Sequence, residues 1–518
     1  MARFHEYQGK ALLEKAGIGV PRGTVADSAA AAGEAAESLR GAVVVKAQAW
    51  TTGRYKQGLI HFADDPAAAA AHAAELLRRE VGGFPVDTLL VEEKLDVAEE
   101  YFASIIISDR EAAPVLVFSA TGGSGVEEIA RDHPDRMARH VIDVREGLRP
   151  FQARDLVRRT GIRGKAQGAL ADILVRLWTV MRDVEARSAE INPIVCTADG
   201  RFLAADCRIT VDDYAVFRHP GLGIAIAREL NHPPTPLEKI AWEVEKNDYR
   251  GTFYFLQMAT GFTPDDRFVG FHGAGGGGSM MGMDALQSHG YPVANFCDTS
   301  GNPAASKVYR AARIILSQPG IVGYFGSGSG VASQEQYHSA RGLVKAFREA
   351  GLSIPAVIRL GGNGEDRAVR ILTDYTRDLP APVEGYRKDD SVEFCVERFD
   401  ALVRAGHPGV SSPPGPPPAE PVDPYTFESP TGRVTFDHAA CLDCASKACI
   451  ETCVPGILSL EEGRPVLNIT REEARRGKCI ECLACEVECH AHGNGGGRIF
   501  LPIPGLDQPE GKDHGHTD

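Results

Sequence analysis

Long apolar runs are missing from this 518-residue chain. The longest, LLV from Leu89 and SIIIS from Ser104, fall far short of the roughly 20 apolar residues a membrane-spanning helix needs, so no membrane protein is expected. The opening stretch MARFHEYQGKALLEKAG lacks both an apolar core and a small-residue cleavage pattern, which makes the cytoplasm the expected compartment. Positive charge is in deficit as well. A formal net charge of −14 argues against a nucleic-acid binder, which carries a basic face, but leaves room for a local basic pocket. Cysteine is sparse until late in the chain. Of 12 cysteines, Cys196, Cys207, Cys297 and Cys395 are scattered, and the rest crowd between Cys441 and Cys489. In a cytoplasmic protein such crowding favours metal ligation over disulfides.

What remains is an ordinary globular composition, 43% hydrophobic and 24% charged, in a chain long enough for three or four domains. Alanine-rich helical stretches (29–39 and 67–79) alternate with β-branched runs such as AVVVKA, and a basic helical span covers 151–184. HPPTP at 232–236 breaks the pattern. From Arg267 strand and helix alternate through glycine turns, as in RFVGFHGAGGGGS and GIVGYFG. That implies a parallel, doubly wound sheet with ligands at the carboxyl ends of its strands. HPGVSSPPGPPPAEPVDP is a stiff, proline-rich linker, and such a tether suits a terminal module that moves in order to dock. The expected divisions are 1–236, 237–404, a linker at 405–425, a cysteine module at 426–505 and a disordered tail at 506–518.

Lys46 closes the run VVVK and precedes a glycine-bearing loop with Gly53 and Arg54, a plausible phosphate site. A lysine snorkelling along the surface is an equally good reading of Lys46 alone. Glu190, Asn192 and Asp206 place carboxylate and amide oxygens at the ends of two β-runs, hard ligands of the kind Mg2+ prefers. Polar capping of a hairpin would look the same.

Taken in order, FHEYQGKALLEKAGIGVPRG, VVVKAQ with its GR loop, LLVEE, EINP, LAADCR, HGAGGGGSMMGMDAL, VANFCDTSGNP and IPAVIRLGGN resemble the β subunit of succinyl-CoA synthetase over roughly residues 3–385. The resemblance implies an α/β architecture: an ATP-grasp domain followed by a flavodoxin-like CoA-ligase domain. It implies Lys46, Gly53 and Arg54 on the phosphates of ATP or GTP, Glu92 and Glu100 toward the nucleoside, and Asn192 and Asp206 on Mg2+. Glu190 is implied as the carboxylate that steadies a phosphorylated histidine. That histidine, and most of the CoA, would belong to an α-type partner chain, giving a hetero-oligomer that joins a carboxylic acid to CoA.

The chain departs from the family at several loops. Thr51-Thr52-Gly53-Arg54-Tyr55-Lys56 stands where the family has Ala-Gly-Gly-Arg-Gly-Lys, so the backbone is less free to wrap phosphates. His272 replaces an asparagine, Asp298–Asn302 replaces a glycine run, and Phe325–Gly330 replaces a shorter Phe-Gly-Gly turn. These loops are expected to face the acyl site, which points away from succinate. His272 could bond a carboxylate or phosphate there, or merely fill an altered turn. Gly273, Gly275, Gly326 and Gly328 suit close approach of an anion to backbone N–H groups.

The terminal cysteines read Cys441-x2-Cys444-x4-Cys449-x3-Cys453 and Cys479-x2-Cys482-x2-Cys485-x3-Cys489. Three close thiolates plus a fourth from the other group is the pattern of two-cluster ferredoxins. On that pattern Cys441, Cys444, Cys449 and Cys489 hold one [4Fe–4S] cluster in a small α+β ferredoxin-like domain, and Cys453, Cys479, Cys482 and Cys485 hold the other. Zinc is the competing metal. Three functions compete in turn: a β-type acid–CoA ligase subunit with an electron-transfer domain, an ATP-coupled component of a larger reductase with its own redox partner, and an assembly subunit whose nucleotide site has decayed.

Overall fold

A computed structural model describes residues 2–123, 134–224, 232–246, 253–328, 335–406 and 420–507. Most of the proline-rich linker, Ser329 and Gly330 of the expected acyl-site turn, and the tail from residue 508 lie outside them. Among the described residues no helix is long and apolar enough to cross a membrane. The chain forms two compact units, Met1–Pro233 and Pro234–Asp518.

The first unit contains two main antiparallel sheets beside the short pair Glu80–Val81 with Phe84–Pro85. The larger runs Ala2–Arg3, Cys207–Val211, Ala186–Thr197, Val97–Ser108, Ala113–Ser119 and Met137–Val141, with Phe202–Ala204 paired to Ala186–Thr197. The smaller runs Gly23–Ala26, Leu89–Glu93, Val43–Ala47 and Ile60–Ala63. Two alanine-rich helices, Ala29–Leu39 and Pro66–Leu76, pack on the smaller sheet. Their entries are set by the Ser28 hydroxyl accepting from Ala31 N–H and the Asp65 carboxylate accepting from Ala68 N–H. The helix Glu6–Lys15 lies against Cys207–Val211. It comes so close that a Cβ on Gly9 would sit 2.7 Å from Cys207 Sγ, so only glycine permits this approach.

The second unit is built on one six-stranded sheet in the order Tyr254–Gln257, Asn295–Asp298, Val269–Ala274, Gly323–Gly328, Ala356–Arg359 and Val383–Tyr386. Only the Tyr254–Gln257 edge is antiparallel. Numbered along the chain, the parallel strands stand 2-1-3-4-5, the flavodoxin-like order. The topological switch point therefore falls between Val269–Ala274 and Gly323–Gly328.

The cysteine segment belongs to this second unit. It comprises a three-stranded sheet (Pro424–Glu428, Arg433–Asp437, Gly497–Phe500), a hairpin (Leu458–Glu461 with Arg464–Leu467), and short helices including Ala448–Glu451 and Ala484–His492. It does not stand apart as a freely moving module. Its Phe427, Val434, Phe436, Ile499 and Leu501 join one continuous core with Tyr309, Tyr324, Leu343 and Phe347 of the flavodoxin-like sheet and helices. Apolar surface shared in this way holds the two parts together whatever the linker's stiffness.

Candidate functional site

Four of the expected nucleotide-side residues meet in one buried ion cluster of the first unit. Lys46 Nζ lies 2.8 Å from Glu6 Oε1, 2.7 Å from Glu92 Oε2 and 2.8 Å from the Ala205 carbonyl. Arg54 reaches across from its loop to place one terminal nitrogen 2.6 Å from both Glu6 Oε2 and Asp206 Oδ2. Lys10 completes the cluster, 2.8 Å from Glu6 Oε1 and 2.5 Å from Glu92 Oε1. Three cations thus face three carboxylates, of which Glu6 and Glu92 are buried while the Asp206 side chain keeps 32% of its surface exposed.

The charges follow from that arrangement. Burial alone would raise the Glu6 carboxyl, but Lys10, Lys46 and Arg54 outweigh it and hold it well below the usual range. Burial works against the charged forms of Lys46 and Arg54 too, yet Glu6 and its fellow carboxylates lift both above their ordinary values. Asp206 behaves differently: burial, reinforced by repulsion from Glu6, pushes it up despite Arg54 and Lys46 nearby. A divalent cation at Asp206 would relieve that repulsion.

Asn192 adjoins Asp206, its backbone N–H donating to the Asp206 carbonyl at 3.0 Å. The Asn192 side-chain oxygen accepts from Gly123 N–H at 2.9 Å. Asn192 carries a neutral amide oxygen and Asp206 a carboxylate, donors of the kind Mg2+ takes. Glu190, two residues back on the same strand, stands in register with Ser104 and Arg208. Gly53 occupies a left-handed turn with open space around its Cα, and Glu100 is exposed on Val97–Ser108, outside the ion cluster. Glu92 spends its carboxylate on the two lysines rather than facing outward. Glu6 and Lys10 were not assigned roles from sequence. Their i,i+4 spacing is the mark of an ordinary exposed helix pair, and only the packing of the helix buries them.

In the second unit a pocket opens at the switch point, lined by His272, Thr299, Tyr324, Gly326, Gly328 and Arg359 with apolar neighbours. The His272 ring is held on both sides: Nδ1 bonds the Tyr324 hydroxyl, and Nε2 stands 3.1 Å from Thr299 Oγ1. Burial drops its pKa to about 4, so the ring is neutral near neutral pH. The three Arg359 guanidinium nitrogens each donate to a backbone carbonyl, those of Gly328, Lys388 and Asp390. The glycine turn itself opens the helix Gly276–Ser288. Gly275 caps it at φ +95°, and its N–H is already taken by Asp298 Oδ1 at 2.9 Å. At Gly273 the reason for glycine is space, since a Cβ there would lie 2.0 Å from Ser279 Oγ.

The eight late cysteines fall into two groups. Burial, then the charge of Cys489, pushes Cys441 up to about 11, and the same causes push Cys449 up to about 12. Cys444 stands beside both, and Gly497 N–H donates to Cys489 Sγ at 3.3 Å. In the second group burial, then Cys482, Cys479 and Cys453 as neighbours, raises Cys485 well above its ordinary value. These four line a second, largely apolar cavity with Phe427, Ile457 and Leu483. Among the described residues, three metal-type donor atoms come within 4.8 Å of one another at His61, His72 and Glu75, but at no trio of these sulfurs.

The ATP-grasp domain model matches residues 3–196. The GDP-forming succinate–CoA ligase β subunit of Thermus thermophilus is 36% identical over 370 residues, 71% of this chain and 93% of its own length. This chain belongs to the succinate–CoA ligase β-subunit family. The ADP-forming β subunit of Rubrobacter xylanophilus is 32% identical over 404 residues, covering 78% of this chain and 99% of that one. Among solved structures, ATP citrate lyase from Methanothrix soehngenii shares the fold, with a TM-score of 0.63 at 19% identity over 78% of this chain and 100% of that one. The ATP-grasp match lies within the first unit. Between about a fifth and three tenths of this chain lies outside these two matches.

Proposed function

We propose that this chain is the nucleotide-binding subunit of a nucleoside-diphosphate-forming acid–CoA ligase. It would turn over ATP or GTP, a carboxylic acid and CoA to acyl-CoA, nucleoside diphosphate and phosphate. The observation that carries the reading is the convergence of Lys46, Arg54 and Asp206 beside Asn192 in an ATP-grasp fold. Phosphoryl transfer needs positioning and charge neutralisation more than covalent chemistry from the protein. Lys46 and Arg54 are fixed cations already desolvated, and incoming phosphate oxygens would replace Glu6 and Glu92 as their partners. Mg2+ held by Asn192 and Asp206 would neutralise phosphate charge when bound. Glu190 would steady a phosphohistidine brought by an α-type partner chain, which would also hold most of the CoA. The carboxylate leaves its poor reactivity behind as an acyl phosphate, which the CoA thiol then attacks.

The cysteine segment, in this reading, is a ferredoxin-like domain with two [4Fe–4S] clusters for electron transfer. The reading rests on the spacing of the two cysteine groups, three close thiolates in each with a fourth from the other.

Co-expression with an α-type ligase chain tests the ligase reading. Release of nucleoside diphosphate should then require both CoA and acid, and Asp206→Ala should abolish it. Turnover that persists unchanged in Asp206→Ala removes Asp206 from the metal site.

A further inference from the structure

The helix Tyr337–Glu349 has two jobs on opposite faces. Ser339 and Leu343, one turn apart, line the switch-point pocket with His272, Thr299 and Tyr324. Arg341 and Lys345, also one turn apart, sit about 200° round the helix from that face. They point at the helix Ala484–His492, which carries Cys485 and Cys489. Lys345 Nζ lies 2.8 Å from Glu486 Oε1, and Arg341 lies 3.4 Å from Glu488 Oε1. Each glutamate is the immediate chain neighbour of a cysteine, Glu486 after Cys485 and Glu488 before Cys489.

These pairs are deeply buried. The side-chain exposures are 3% for Lys345 and 11% for Glu486, and 1% for Arg341 and 6% for Glu488. Arg341 Nε and one terminal nitrogen have no hydrogen-bond partner although buried. Tyr375 adds a third link, its hydroxyl 2.7 Å from Glu488 Oε2 and 2.9 Å from His492 Nε2. Lys345 also pairs with Glu349 at 2.7 Å, and Arg367 approaches Glu488 at 3.8 Å. Buried charges in a low dielectric feel each other strongly, and an incompletely partnered guanidinium is the group with most to gain from a new negative charge.

We propose that Arg341 and Lys345 are positioning residues that tie the shape of the switch-point pocket to the charge on the cysteine groups. The proposal rests on the iron–sulfur reading. One electron from an external one-electron donor adds one negative charge to a cluster held by Cys485 or Cys489. Arg341 and Lys345 then divide their attraction between that charge and Glu488 and Glu486. The helix they share adjusts, and Ser339 and Leu343 move with it at the pocket wall. Ligand occupancy in the pocket is thereby linked to the redox state of the module, and by reciprocity the module to the pocket.

The test is hydrogen–deuterium exchange on the full chain, purified anaerobically and compared as isolated and after reduction with dithionite. Amides in 337–349 and 269–274 should change exchange rate about threefold or more between the two states. The double variant Lys345→Met, Glu486→Leu replaces the ion pair by apolar groups, a change buried pairs often tolerate. It should keep its iron and its redox response but show at most half the wild-type difference in exchange, with Arg341 alone left to respond. Unchanged exchange in the wild-type chain on reduction overturns the proposal, and so does a difference that survives undiminished in the double variant. If the variant does not fold, the wild-type comparison decides alone. A chain without iron fails the iron–sulfur reading instead, which separates the two failures.

Discussion

Lys46 Nζ stands 2.8 Å from Glu6 Oε1, so the lysine expected at the nucleotide phosphates is clamped by a carboxylate from the N-terminal helix. Glu6 is bound by all three cations of the cluster. Glu6→Gln should therefore leave Lys10, Lys46 and Arg54 with two carboxylates between them. Stability of the nucleotide-free protein should fall by about 3 kcal/mol, the low end for breaking a buried pair. Phosphate oxygens can make good the lost charge, so nucleotide should restore more stability to the variant than to the wild type. Thermal shifts with and without nucleotide measure both effects, and equal nucleotide shifts in the two proteins would count against the phosphate role of Lys46.

Asp206 is raised by burial and by Glu6, and a divalent cation would offset both. Asp206→Asn should make nucleotide affinity insensitive to Mg2+, whereas the wild type should bind more tightly with the ion present. Titration calorimetry with and without Mg2+ reads this directly.

His272 carries a pH signature. Its folded pKa of about 4 lies below the unfolded value near 6.5, so the unfolded chain binds more protons between those limits. The stability from neutral His272 is fully present above pH ~6.5 and is lost as pH falls toward 4. Between pH ~7 and ~5 the wild type should lose about 2 kcal/mol more than His272→Gln does. Denaturant unfolding of both proteins at the two pH values checks it, and parallel losses would contradict the buried, neutral ring.

The broad fold was legible because it rests on local signals. Alternation of β-branched runs with alanine-rich helices marks the first unit, and strand–glycine–helix repeats mark a parallel sheet whose 2-1-3-4-5 order puts a pocket at the switch point. What was not legible depends on contacts distant in sequence. Glu6 and Lys10 look like a surface pair until Gly9 lets their helix sink against Cys207. Arg341 and Lys345 look solvent-facing until the cysteine segment covers them, 141 residues away for Lys345 and Glu486. The proline-rich linker pointed to a moving module, but composition says nothing about apolar faces that match across it.

The cysteine groups make a compositional prediction. Protein purified without oxygen should be brown and contain iron and acid-labile sulfide near eight of each per chain, following two four-iron clusters. Cys489→Ser should remove about half of both, because Cys489 stands with Cys441 and Cys449 and apart from the second group. Stoichiometric zinc with no sulfide would contradict the assignment.

The central claim, that this chain delivers a nucleotide phosphoryl group to activate an acid for CoA, is tested most directly by a single turnover. The chain and an α-type partner are mixed with nucleoside triphosphate labelled at the γ-phosphate and with Mg2+, before any acid or CoA is added. The account predicts acid-labile, base-stable label on the partner chain, discharged when acid and CoA follow and absent with Asp206→Ala. Full labelling of the partner with Asp206→Ala, or none with the wild-type chain, would contradict it.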